Sequence, residues 1–479
     1  MPVRDQTLWG LAKPAMQDAL EKISKAMAEG KSIESYDSYP AIDMKDGEVF
    51  PAFKTQYRVP DLRKVFGWEK GFQSRPFTYE GIKGFGDVVS YVAGHSDYAS
   101  FHGAGRIKSE DFLVEVAEFG ARKLIVEVAA RHADDRGFTW DEEYALSRYL
   151  ELEAWWQQDR LPVDVFIPIM NVSFADDQVK LSDSISIERI SDEQHLARVL
   201  GLKAYERDDW LVRACTHALI VCNAASIEWP FAMGREQWDV FPHDQVDRAI
   251  QAVSVVTSEP TGYDQVCFIP DGWTHGYVRA LPTVTNSFSA KRYDRHIPIR
   301  NFSPTVTLSS DQARRVAELY RALEVAHPQV SLAARRLQLA SLRDDELDEI
   351  VDLCVGIEAL LGGTTAGDTT YKLGLRGAAV LIRAKFEDSE KVAQLIKKVY
   401  AYRSNIVHGQ VKYEKKRFVV IEDEKYLATH IAQFLLREIL AVMLKEPDLI
   451  SKIDNDRVIF ELLDRRAAAE EARSGGDSA

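Results

Sequence analysis

The sequence predicts an α+β N-terminal region followed by an all-α helical bundle. Three observations carry this: glycine-punctuated mixed signals up to about Arg160, β-branched alternation beyond it, and an almost wholly helical pattern after Ser309. With 479 residues the chain is long enough for two or three units. We divide it into 1–160, a mixed α/β region; 161–304, a β-rich α+β region open to being one unit with the first; 305–465, the bundle; and 466–479, a disordered tail.

Apolar positions at helical spacing predict helices over Met16 to Met27, Leu113 to Arg131 and Asp141 to Gln158. Gly81 to Gly105, rich in glycine and aromatics, predicts turns around short strands. Strand patterns follow at Val163 to Ile169, Val179 to Ile190, Leu211 to Ala224 and Gln265 to Ile269, with a helix at Gln245 to Val256. The order does not repeat, which speaks against a solenoid or a doubly wound sheet. Pro282 to Thr307, rich in Ser, Thr, Asn, Pro and Arg, predicts a connection. After the N-cap at Ser309-Ser310-Asp311, helices are expected through Val325 and over Leu332–Leu342, Asp344–Leu361, Thr370–Ala384, Ser389–His408 and Tyr426–Lys445. Phe418-Val419-Val420-Ile421 reads as a short strand or extended loop.

Composition narrows the function classes. Hydrophobic residues make up 46% and charged residues 28%, the balance of a folded globular protein. No uninterrupted apolar run approaches about 18 residues, so no membrane partner is expected, and the N-terminus lacks an apolar signal segment, which points to the cytoplasm. Cys215, Cys222, Cys267 and Cys354 are too scattered for a disulfide framework or a zinc knuckle and read as buried thiols. A net charge of −14 argues against a surface that coats nucleic acid everywhere but leaves room for a local basic patch. His95, His102 and His132, with Asp134 and Asp135, match no metal-ligand spacing. Trp155, Trp156 and the Trp229-Pro230-Phe231 segment read as core or interface aromatics, and no P-loop, GxSxG or Rossmann glycine signature is present.

The helix expected to end at His408 carries an apolar stripe of Val392, Leu395, Ile396, Val399, Tyr402 and Ile406. One further turn along the Leu395, Val399 row lands on Arg403, where a charge needs an anionic partner or a ligand. His408, followed by Gly409, sits in the final turn. The negative end of the helix dipole favours imidazolium there, and histidine titrates near neutrality, so the group suits proton transfer. Ser404 lies one turn earlier on the same face. An offset of five residues turns about 140° and rises about 7.5 Å, so Arg403 and His408 do not share a face. By themselves the two read as an inter-helix ion pair and a capping histidine.

Three segments in order give the pair a sharper meaning. They are Leu353-Cys354-Val355-Gly356-Ile357-Glu358-Ala359-Leu360-Leu361, Tyr371-Lys372-Leu373-Gly374-Leu375-Arg376-Gly377-Ala378-Ala379, and Tyr400-Ala401-Tyr402-Arg403-Ser404-Asn405-Ile406-Val407-His408-Gly409. Together they resemble an Apea-like HEPN domain, the resemblance covering roughly Leu308 to Leu463. It implies a helical bundle that pairs as a two-fold homodimer and a metal-independent endoribonuclease with no cofactor. The matching catalytic positions of the R-x4-H motif are Arg403 and His408. Family members often carry Asn directly after the arginine; here Ser404 stands there and Asn405 follows, and either is a candidate supporting residue. The resemblance also implies anti-phage defence by abortive infection, with RNA, tRNA among the candidates, as substrate and a phage-derived trigger.

Lys412, Tyr413, Lys415, Lys416 and Arg417 follow the motif within a basic window of an acidic chain and are candidate RNA-binding residues, although a solvated loop accounts for the charges equally simply. Glu358 and Arg376 are expected to be structural, as a buried ion pair locking two bundle helices. Two readings compete with the nuclease: a noncatalytic HEPN scaffold for dimerisation or sensing, and an RNA-binding regulator.

Overall fold

A computed structural model describes residues 3–36, 39–43, 52–56, 58–68, 75–95, 110–156, 160–201, 215–228, 241–257, 259–270, 281, 284–294, 297, 306–362, 369–386, 388–409 and 413–464. The N-terminal region opens with α1 (Gln6–Ala28), then an antiparallel pair, β1 (Tyr39–Asp43) and β2 (Ala52–Gln56), and a short parallel pair, β3 (Phe66–Gly67) and β4 (Phe77–Thr78). Helices α2 (Phe85–Ala93), α3 (Glu110–Arg122), α4 (Val128–Arg136) and α5 (Glu142–Trp156) follow, α3 running into α4 through a π-helical turn, Lys123–Glu127. Their apolar faces form one core around Met16, Ile23, Val88, Leu124, Ile125 and Tyr149. The chain start is tied down by Glu153, buried to 2% exposure, whose carboxylate accepts from the backbone N–H of Arg4 (2.9 Å) and Asp5 (2.8 Å) and from the Tyr149 hydroxyl (3.1 Å).

Two expectations need correction here. Helix α1 begins at Gln6 and runs through Pro14, which costs the Gly10 carbonyl its intrahelical donor but does not end the helix. Within Gly81 to Gly105 lies a helix, α2, because Gly84 (φ +81°) and Gly94 stand at its two ends and do not interrupt it.

A six-stranded antiparallel sheet dominates the middle of the chain. It is built from β5 (Arg160–Met170), β7 (Gln178–Lys180), β8 (Ile185–Arg189), β9 (Cys215–Glu228), β10 (Gly262–Pro270) and β11 (Thr285–Tyr293), in the order β11-β10-β5-β9-β8-β7. The short β6 (Val172–Phe174) lies outside it. Central strand β5 is buried on both faces, Val163, Val165, Ile167 and Ile169 in the main core and Phe166 and Met170 in a smaller one, which explains its near-continuous apolar run. Pro168 sits opposite an irregularity in β10 between Gly262 and Cys267, where no ladder donor is demanded of it. Val179 to Ile190 is a hairpin of two strands, and the expected connection contains β11. That edge strand is polar (Thr285, Asn286, Ser287, Ser289, Lys291, Arg292), so its sequence lacks the apolar alternation of an inner strand.

Helices α6 (Asp192–Gly201) and α7 (His243–Val256) flank the sheet, and strand β12 (Val306–Leu308) pairs in parallel with β6. Six longer helices follow: α8 (Ser310–Glu324), α9 (Pro328–Ser341), α10 (Glu346–Leu361), α11 (Thr369–Ile382), α12 (Ser389–Val407) and α13 (Ala428–Lys445). Ser309 and Gln312 close a full capping box on α8. Strands β13 (Phe418–Ile421) and β14 (Glu424–Leu427) form a hairpin before α13, so Tyr426 belongs to a strand. The layout is therefore α+β followed by helices. One core runs from the sheet through α7 into all six helices. Polar links reinforce that joint: Gln251 donates to Gln338 (2.8 Å), Gln338 donates to Asp247 (3.1 Å), and Arg248 pairs with Glu324 (2.9 Å).

Buried histidines make this core acid-sensitive. Burial, together with the adjacent Arg198 guanidinium that donates to Nδ1, drives His195 down to about 2. Burial and nearby Arg189 lower His217 to about 4. Both are neutral when folded and ionise near the usual 6.5 when unfolded, so their contribution is complete above about pH 6.5 and is lost as pH falls toward 4. Each pH unit below 6.5 should cost about 1.4 kcal/mol per histidine. Urea midpoints from pH 7.5 to 4.5 test this, and His217→Gln should flatten the slope.

Candidate active site

The three segments that carry the resemblance fall on α10, α11 and α12. Helix α12 starts at N-cap Asp388, whose carboxylate accepts from the Lys391 N–H (2.8 Å). It stops at His408, the C-cap residue, because Gly409 adopts φ +63°, the left-handed turn that glycine takes without strain. The His408 side chain is exposed and makes no hydrogen bond or ion pair among the described residues. The 3.6-residue period places Lys397, Ala401, Ser404 and His408 on one stripe, with Lys397 and Lys398 exposed and free of ion pairs among the described residues.

Arg403 meets the anionic partner that its place on the apolar row demands. Its Nη2 lies 3.9 Å from Oε1 of Glu358 on α10, with both side chains about a third exposed (28% and 32%). That spacing is an ion pair too long for a hydrogen bond, and the Arg403 Nε is buried with no hydrogen-bond partner. Glu358 holds the guanidinium by charge without a hydrogen bond, and the side chain is 28% exposed, which leaves the group able to take an incoming anion. Beneath it the Tyr400 hydroxyl donates to the Cys354 carbonyl (3.0 Å). Burial first, then the Glu358 charge, pushes the Cys354 thiol far up, so it is no nucleophile at neutral pH.

The supporting residues separate by burial: Asn405 is 9% exposed, while Ser404 is half-buried on the His408 stripe. Both flank His408 at helical spacing, Ser404 one turn before it and Asn405 three residues before it, and Ser404 is the more accessible of the two.

The expected Glu358–Arg376 ion pair is not formed. Arg376, 2% exposed, donates to the carbonyls of Leu361 and Gly362 (2.8 Å each) and pairs with Asp454 (2.8 Å). Arg376 thus caps the C-terminal end of α10, whose last carbonyls lack intrahelical donors, and Glu358 is left to Arg403. Sequence reasoning missed this partnership because the two acidic positions near Arg376 and Arg403 are distant in the chain and only packing chooses between them.

The basic window also resolves unevenly. Arg417 is committed to a forked pair with Glu346 at the start of α10 (Nε 3.0 and 3.1 Å, Nη2 2.7 Å), and the same carboxylate accepts from Tyr402 (3.1 Å). This clamp fixes the β13–β14 hairpin against α10 and α12 and gives Arg417 a structural partner. Lys415 and Lys416 are exposed in a short 3-10 turn and free of ion pairs among the described residues. Lys412 and the side chain of Tyr413 lie outside the described residues. Arg417→Gln should lower thermal stability with Lys415→Gln/Lys416→Gln leaving it unchanged, whereas only the lysine pair should weaken RNA retention in a filter-binding assay.

The remaining expectations sort quickly. Cys215, Cys267 and Cys354 are buried, but Cys222, midway along β9 and just past the stretch His217 to Val221 that pairs with β8, is exposed. His132 is fully buried and spent on structure: its ring bonds the Gly137 carbonyl (3.1 Å) and accepts from the Asp141 N–H (2.9 Å) while stacking on Trp140. Among the described residues no group of three or more metal-ligating side chains assembles. No described helix is long and apolar enough to cross a membrane. His102, the side chains of Trp155 and Trp156, Trp229-Pro230-Phe231 and the tail 466–479 lie outside the described residues. Compared with known proteins, the chain matches no family model, no curated protein and no solved structure.

Proposed function

We propose that the chain is a metal-independent endoribonuclease of HEPN type that acts in anti-phage defence and cuts RNA, with tRNA among its candidate substrates. The observation that carries the reading is the occurrence, on one helix, of an exposed His408 at the C-cap and a partly exposed Arg403 that Glu358 holds by charge without a hydrogen bond. In this mechanism one His408 removes the proton from a ribose 2′-OH as the oxygen attacks the adjacent phosphorus. The His408 of a second copy protonates the departing 5′-oxygen, and the two Arg403 side chains offset the charge of the phosphorane. The bond to the 5′-oxygen breaks as the new one forms, leaving 2′,3′-cyclic phosphate and 5′-OH ends.

The Arg403 and His408 of one chain sit about 140° apart around α12, so a two-fold partner supplies the convergence. Val407, which directly precedes His408, and Phe418 and Val420 on the β13–β14 hairpin are each about half exposed (52%, 48%, 50%) and offer apolar side chains to that second copy. The N-terminal region is the natural restraint or trigger for such an activity. The same apolar side chains also favour the competing reading, a noncatalytic dimerisation scaffold. Incubating the purified full chain with total RNA in EDTA, with end-group analysis, decides: cyclic phosphate ends support the nuclease, and intact RNA in every condition, including after trigger addition in phage-infected lysate, leaves the scaffold.

A further inference from the structure

The N-terminal region holds a second candidate site, independent of the ribonuclease reading. A cleft of about 560 Å³ opens between the 3-10 turn Leu62–Val65, strand β3 and the junction of α3 with the π-helical turn. That volume is typical of a small-ligand site. Four cations line it, Arg63, Lys64, Arg75 and Arg122, against one lining carboxylate, Glu127. Such an excess is unusual in a chain of net charge −14.

The cations are pre-positioned. Asp61 holds Arg63 in a forked pair (2.9 and 2.8 Å), and Glu34 reaches both Lys64 (3.0 Å) and Arg75 (2.5 Å). Arg122 rests over the Phe119 ring, 4.6 Å from its centroid, and makes no ion pair among the described residues. The neighbouring Lys123 is 5% exposed, its ammonium 4.7 Å from the centroid of the same Phe119 ring, and burial pushes it down to about 8. Gly67 keeps the floor open for Arg75: a Cβ there would lie 2.7 Å from the Arg75 Cγ.

The other wall is aromatic. Trp68 and Tyr79 line the cleft with ring centroids 4.6 Å apart, and Tyr79 packs on to Phe66 and Phe85 at 6.2 and 6.0 Å. Trp68 is half-buried, so part of its ring remains for a flat partner. The π-helical turn contributes Val126 and Glu127 to the lining, and such turns, being less favourable than α-helix, concentrate at functional sites.

We propose that this cleft binds a nucleoside phosphate, the phosphates on Arg63, Lys64, Arg75 and Arg122 and the base against Trp68 and Tyr79. Cations alone would take any anion and aromatics alone any flat ligand; their placement in one cleft selects a ligand with both. Such a site gives the N-terminal region a small molecule to sense.

Isothermal titration of the full chain with ATP, GTP, tripolyphosphate and adenosine tests this. One nucleotide per chain is expected, with tripolyphosphate and adenosine each at least about tenfold weaker. Arg122→Gln should weaken the nucleotide about tenfold with unchanged melting temperature, and Trp68→Leu should weaken it about tenfold when titrated well below its own, lowered, melting temperature. No saturable binding by the wild-type chain would overturn the site, and tripolyphosphate binding as tightly as ATP would overturn the role of the aromatic wall. A short single-stranded oligoribonucleotide that outcompetes ATP and depends on Arg122 would replace the nucleoside phosphate by RNA.

Discussion

His408→Ala should lower RNA cleavage by at least about 10²–10⁴-fold while leaving the fold intact, the range expected for loss of one acid–base group and a lower bound where both copies lose it. The side chain is exposed at a C-cap and makes no side-chain hydrogen bond among the described residues, so its removal should change stability by less than about 0.5 kcal/mol. Arg403→Ala should also cost about 10²–10³-fold, by analogy with removing a donor to developing charge, but with a small stability loss because Glu358 would lose its partner. Arg403→Lys distinguishes charge from geometry: a lysine keeps the first and cannot offer a fork of donors to a phosphate. Equal RNA binding with lost cleavage in His408→Ala identifies chemistry. If instead the variant and the wild type are equally inactive and the wild-type dimer is intact, the catalytic proposal fails.

The second large effect is on stability. Arg376→Leu should destabilise the helical half by about 3–5 kcal/mol, since it removes a buried charge that donates to two carbonyls and pairs with a carboxylate. The Leu361 and Gly362 carbonyls would be left without this donor at the end of α10, and Asp454 without its cation. A fall in melting temperature on the order of 10 °C, read by circular dichroism, is the expected result. Arg376→Lys should recover only part of it, because one ammonium cannot span two carbonyls and a carboxylate in the guanidinium's planar geometry. A shift of only a degree or two would show that water replaces the guanidinium at the helix end, and that Arg376 is not the anchor of α10. Because Glu358 sits one turn before that end, the Arg376 cap also bears on how Glu358 faces Arg403.

The two experiments separate the roles that the sequence left joined. Arg376 and Glu358 lie 18 positions apart, and a buried pair between them was a reasonable expectation for two charges on neighbouring apolar helices. Packing instead gives each a different partner, one stabilising a helix end and one facing the candidate site. Arg417 shows the same divergence: it reads as one more cation in a basic window, yet Glu346, 71 residues away, claims it. Lys415 and Lys416 form no ion pair among the described residues, although Glu414 precedes them in the same turn.

Local rules were enough where the signal is local. The helical period, the capping residues and the glycine after His408 are decided within one or two turns, so the sequence by itself determined the six longer C-terminal helices, the end of α12 and the placement of Arg403 on a core-facing row. The same holds for the apolar strand β5. What only the tertiary structure decided is which charge meets which: Glu358 with Arg403, Arg376 with the end of α10, Arg417 with Glu346, and the gathering of Arg63, Arg75 and Arg122 about Trp68 and Tyr79. The polar edge strand β11 and the helix hidden among glycines belong to this second group. The physical reason is shared: hydrophobic periodicity and caps act between residues three or four apart, whereas ion pairs, clefts and edge strands are fixed by contacts between segments whose approach no local pattern encodes.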